Sequence, residues 1–102
     1  MTEIKEAQQK VDELIQVYGG YWEPLSMLAR LTEEVGELSR SMNIKYGDKK
    51  SKFDGDGREV EKELADVIFT ALAIANREKI NMDEVLIKKI DEDNKKCKGV
   101  YK

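Results

Sequence analysis

The apolar positions of this chain recur at steps of three and four, not at alternate residues, and they do so in four separate stretches. Over 2–17, Ile4, Ala7, Val11, Leu14 and Ile15 share one side of a 3.6-residue period, with Thr2 placed to cap and Glu3 in the first turn; this predicts a first helix. Gly19 and Gly20 stop it, and Pro24, the only proline, suits the first turn of a second helix, where a missing N–H costs nothing. That helix is predicted to run to about Tyr46 and to bury a stripe of Leu28, Leu31, Val35, Leu38 and Met42. A third helix, over 58–78, contains the run VIFTALAIAN, uncharged around its circumference, which predicts a central helix enclosed on most sides. A fourth follows Asn81, a capping residue with Glu84 three positions on. It carries Met82, Leu86 and Ile90 on one side and fades into NKKCKGVYK, with 98–102 as a tail. Between the second and third helices, GDKKSKFDGDG at 47–57 combines glycines and charges with one large apolar side chain and reads as a mobile loop. No stretch alternates like a strand, so the expected fold is all-α, a four-helix bundle forming one domain over 1–102.

Composition adds an expectation about assembly. A chain of 102 residues with 40% hydrophobic positions supports one modest core. An apolar circumference on one of four short helices then predicts that the core is completed by a further copy, as a homodimer or a dimer-of-dimers tetramer. The net charge is −3, with 18 basic against 21 acidic residues, so no basic excess exists for extended nucleic-acid binding. Cys97 is the only cysteine, which excludes an intrachain disulfide and a cysteine-rich metal site. The start does not resemble a signal peptide, and the longest uncharged stretch, 67–76, is far below the ~20 residues that cross a bilayer. A soluble, cytoplasmic protein without a membrane partner is expected.

The candidate chemistry lies in acids. The second helix carries EExxE as Glu33, Glu34 and Glu37, and the third carries ExxD as Glu63 and Asp66. On a helical projection Glu34 and Glu37 lie about 60° apart, as do Glu63 and Asp66, and both pairs border apolar residues. Glu33 points further outward. If the two helices pack as an antiparallel hairpin, the pairs face one another at the rim of the core, where like charges repel unless a cation joins them. An all-oxygen set suits a hard divalent ion, magnesium or manganese. A di-iron bundle needs Glu-x-x-His motifs, and the chain has no histidine. The plain alternative is a solvated acidic face paired with lysines. DGDG at 54–57 reads as a turn, because Arg58 stands where a calcium loop needs an oxygen ligand.

EExxE followed by ExxD, within YWEPLSMLARLTEEVGELSRSMNIKYGDK and ELADVIFTALAIANREKINMDE and ahead of a closing helix with Asn94, resembles the MazG-like members of the all-α NTP pyrophosphatase superfamily over nearly the entire chain. The resemblance implies magnesium held by Glu34, Glu37, Glu63 and Asp66, with Glu33 as a base-like assistant. It also implies hydrolysis of a nucleoside triphosphate between the α and β phosphates. Arg30, four residues before Glu34, is placed either to meet phosphate or to pair with Glu34. Lys49, Lys50, Lys52 and Arg58 are candidates for closing over a triphosphate or for plain solvation. Trp22 and Tyr21 could stack on a base or pack between the first two helices. Asn76 and Asn94 stand where the family often places polar pocket residues, or simply near helix ends. Two other functions share these features: a non-catalytic helical interaction or metal-binding module, and a phosphoribosyl-ATP pyrophosphatase.

Overall fold

A computed structural model describes the backbone of residues 3–47 and 58–100 and the side chains of 3–47 and 59–97. It has four helices, α1 (Ile4–Val17), α2 (Pro24–Tyr46), α3 (Arg58–Arg77) and α4 (Met82–Val100), and no strand among the described residues. The all-α expectation is met. The loop expected beyond Gly47, its Lys49, Lys50 and Lys52, and the cap expected at Thr2 lie outside the described residues, as does the Arg58 side chain. α4 continues through residues read as a tail, to Val100.

Local chemistry explains most of the boundaries. α1 ends where Gly19 and Gly20 take φ of +106° and +105° and the Gly20 N–H donates to the Ile15 carbonyl at 2.9 Å, a reversal that glycine enters without steric cost. α2 begins at Pro24. α3 ends in the same kind of reversal, with the Ile80 N–H donating to the Ala75 carbonyl at 2.8 Å, but Lys79 occupies the left-handed position at φ 60°. Asn81 then caps α4, its Oδ1 accepting from the Asp83 N–H at 3.0 Å and the Glu84 N–H at 3.4 Å. Position 3, which precedes α1, offers no side-chain cap. An acceptor is supplied from far along the chain by Asp83, whose Oδ2 takes the Lys5 N–H at 3.0 Å.

α2 and α3 run antiparallel. Arg77 at the end of α3 reaches Trp22 just ahead of α2, while Glu34 in mid-α2 meets Glu63 and Asp66 early in α3. α1 lies on the same helix, and Val11, Met27 and Ala73 form the core, with Ile15, Tyr21, Leu72 and Ile74 packed around them. The Gln8 side chain joins three elements at this junction. Its Nε2 donates to Asn76 Oδ1 at 3.0 Å and to the Ile80 carbonyl at 2.8 Å, and its Oε1 accepts from the Met82 N–H at 3.0 Å.

Burial departs from the sequence pattern in one respect. The α2 residues buried within the chain are Met27, Glu34 and Ser41, with Leu31 and Leu38 half-buried. Leu28, Val35 and Met42 of the expected buried stripe are 53%, 48% and 43% exposed. The stripe is wider than the single contact with α3 that covers it, and the covered side is rotated towards Glu34. α3 is central, packed on α1 and α2, yet Leu64 and Ile68 remain exposed, because the hydrogen bonds α4 makes with α1 come from its first turn and its body does not lie along α3. The radius of gyration is 16.9 Å, against about 13 Å for a compact domain of this length.

Candidate metal centre

Glu34, Glu63 and Asp66 each direct a carboxylate oxygen into a group whose members all lie within 4.8 Å of one another. Helical periodicity creates half of this arrangement by placing Glu63 and Asp66 on one side of α3. The antiparallel packing creates the rest by setting α2 opposite. Glu34 and Glu63 are buried, at 7% and 8% exposure, and Asp66 is half-buried. At such separations each fully ionised pair repels by about 3 kcal/mol at an effective dielectric of ~20, less where solvent reaches Asp66.

The electrostatics follow from that crowding. The Glu34 carboxyl titrates above the ordinary glutamate range, first because burial disfavours its charged form and then because Asp66 and Glu63 repel it, with Arg30 pulling the other way. Arg30 Nε stands 3.2 Å from Glu34 Oε1, and its Nη1 is 4.0 Å from Glu33 Oε2. Lys62 places its ammonium 2.9 Å from Asp66 Oδ2 and 3.6 Å from Glu63 Oε1. The hydrogen bond to Asp66, followed by the charges of Asp66 and Glu63, holds the Lys62 ammonium above its usual titration range. Two cationic side chains thus gather at the same carboxylate oxygens.

Beside the acids opens a cleft of about 640 Å³, lined by the ring-bearing Tyr18, Tyr21, Trp22 and Phe69, by Thr70, and by Arg30, Glu34 and Asp66. Tyr21 donates its hydroxyl to Asp12 Oδ1, and burial and that bond raise its titration above the ordinary tyrosine range. Trp22 is 57% exposed, so it is a wall of the cleft more than a core residue. Thr70 is buried and turns its hydroxyl back to the Asp66 carbonyl at 2.9 Å.

The residues singled out by the sequence therefore separate. Glu34, Glu63 and Asp66 converge, and Arg30 and Trp22 line the adjoining cleft. Glu33 and Glu37 are exposed on α2, outside the converging three. Asn76 is half-buried next to Tyr21, with its amide engaged by Gln8: its Oδ1 accepts from Gln8 Nε2 and its Nδ2 donates to the Gln8 carbonyl at 2.8 Å. Asn94 is exposed in the second half of α4 and does not line the cleft. Sequence reasoning missed Lys62, although its i,i+4 relation to Asp66 was a usable signal. It also missed Phe69 and Thr70, which sit on the Asp66 side of α3 at three- and four-residue steps.

Residues 22–98 match the MazG nucleotide pyrophosphohydrolase domain. The chain is 44% identical over 82 residues to the uncharacterized protein YpjD of Bacillus subtilis, a stretch spanning 79% of this chain and 74% of that protein. Its fold is similar to the crystal structure of YpjD from Bacillus subtilis, with a TM-score of 0.82 and 38% identity over 90% of this chain and 95% of that one. It is also similar to the crystal structure of the Bacillus-conserved MazG protein, a nucleotide pyrophosphohydrolase, with a TM-score of 0.78 and 35% identity over 90% of each chain.

Proposed function

The chain belongs to the MazG nucleotide pyrophosphohydrolase family, and from that premise we infer that it is a magnesium-dependent nucleoside triphosphate pyrophosphohydrolase that cleaves between the α and β phosphates. The products are then a nucleoside or deoxynucleoside monophosphate and pyrophosphate, and the role is upkeep of the cytoplasmic nucleotide pool. The observation that carries this reading is the convergence of Glu34, Glu63 and Asp66 at the wall of an aromatic-lined cleft.

The donor set fits the ion. It is all oxygen, two of its three acids are buried, and the arrangement is repulsive until a cation joins it. Glu34, Glu63 and Asp66 would hold magnesium, or manganese in its place, with Glu37 less than a turn beyond Glu34 as a fourth ligand reached by side-chain rotation. Bound there, the ion supplies neutralisation of phosphate charge and acidification of water. The chain's own residues do the rest. Glu33, at the outer edge of α2, accepts the proton of the attacking water. Arg30 lines the cleft and turns its guanidinium from Glu34 to a phosphate oxygen. Trp22 and Tyr21 present ring faces to the base. A second copy, or a dimer of dimers, covers the exposed Leu28, Val35 and Ile68.

The paired Lys62 and Arg30 favour one other reading, a non-catalytic module in which the acids serve only as salt-bridge partners. The deciding experiment offers ribo-, deoxyribo- and modified nucleoside triphosphates with magnesium or with chelator and identifies both products. Magnesium-dependent formation of monophosphate and pyrophosphate in equal amounts supports the hydrolase. Diphosphate and phosphate overturn the bond assignment, turnover of phosphoribosyl-ATP alone moves the assignment to that sibling activity, and no turnover with the ion bound supports the module.

A further inference from the structure

Trp22 is the only tryptophan of the chain, and at 57% exposure its indole is only partly packed. Where this wall of the cleft stands therefore depends on the path of the backbone that carries it. Three ties hold this segment. The Gly20 N–H is bonded to the Ile15 carbonyl, the Tyr21 hydroxyl to Asp12 on α1, and the Trp22 carbonyl accepts from Arg77 Nε at 3.2 Å. Tyr21 also meets α3, packing on the core around Ala73 beside Asn76, but only the last of the three bonds acts on Trp22 itself.

Arg77 is the final residue of α3, and Asp66 stands three turns earlier on the same helix, about 16 Å away along its axis. A helix is a stiff rod over that distance. We propose that Arg77 is a positioning residue which, by holding the Trp22 carbonyl from the end of α3, sets the indole wall of the cleft at a fixed distance from the acids at the helix's start. Base face and phosphate are then registered on one element. This rests on the reading of the cleft as the nucleotide site. A cation at a helix C-terminus is favourable with or without a ligand, so charge and hydrogen bond have to be separated experimentally.

Two variants separate them. R77Q retains an N–H donor at the chain position of Nε and removes the charge, whereas R77M removes both and keeps the stem. With the most rapidly hydrolysed nucleoside triphosphate of the panel above, R77M should raise KM about tenfold with kcat within about twofold of wild type, since misplacing a binding wall affects affinity before chemistry. R77Q should return KM to within about threefold of wild type. The emission of Trp22, the sole indole, should lose anisotropy in R77M and recover it in R77Q. Unchanged KM and anisotropy in R77M overturn the proposal, and so does an R77Q as impaired as R77M, which would assign the effect to charge. W22A checks the underlying reading separately. If it leaves KM unchanged, the stacking role of Trp22 fails, while the anisotropy of R77M still decides whether Arg77 holds the segment.

Discussion

Glu34 is buried beside two further carboxylates, and its raised titration has a definite sign for stability. Because the folded-state value lies above that of the unfolded chain, the unfolded chain ionises first as pH rises, and stability is lost as pH climbs through the folded value. In chelator, lowering the pH from neutrality towards the upper glutamate range should therefore raise the Tm. Glu34→Gln should raise the Tm at neutral pH and flatten that rise; a Tm that falls on acidification, with no gain from the substitution, contradicts the assignment. Magnesium affinity should weaken over the same interval as protons compete for the site. Lys79 carries a cost unrelated to the site, since its φ of 60° puts a Cβ where helix reversals favour glycine. Lys79→Gly should stabilise the chain by about 0.5–1 kcal/mol in urea denaturation, the relief exceeding the added chain entropy. Unchanged or reduced stability would show that the reversal is unstrained.

At the scale of helices, what could be read from the sequence was what a few neighbouring residues decide. Pro24 opens α2, Gly19 and Gly20 close α1, and Asn81 caps α4, each through chemistry within five residues. The directions of Glu63 relative to Asp66 were equally legible, because one helical period fixes them. What required a partner remote in sequence was not. The Gln8 clamp joins residues 68 or more positions apart, and nothing near Gln8 distinguishes it from the exposed Gln9. Separations of 55 and 68 positions hide the tie between Arg77 and Trp22 and the engagement of Asn76. Likewise the period gives the width of the α2 stripe but not how much of it one neighbour covers, which is why Leu28, Val35 and Met42 are exposed. Gln8→Ala should cost about 2–3 kcal/mol in urea denaturation, since it leaves the Ile80 carbonyl and Met82 N–H without their partner. A loss below about 0.5 kcal/mol would show that water replaces the clamp.

The whole chain is open for its length. Its extents are 50 × 44 × 30 Å, no large side chain among the described residues is fully enclosed, and Leu28, Val35, Leu64 and Ile68 face outward. No helix among the described residues is long and apolar enough to cross a membrane, and in the proposed assembly a second copy covers these faces. Light scattering after gel filtration should give two or four chain masses, and Val35→Glu or Ile68→Glu should shift the mass towards one chain and lower activity. A wild-type monomer at working concentration contradicts that expectation. Whether the acids of α2 and α3 hold a divalent ion for triphosphate hydrolysis is decided by pyrophosphate release at saturating magnesium from wild type and from Asp66→Asn, with helicity followed by circular dichroism. In Asp66→Asn, release should fall about a hundredfold or more while helicity is retained. Release within a few-fold of wild type would contradict that role of the acids.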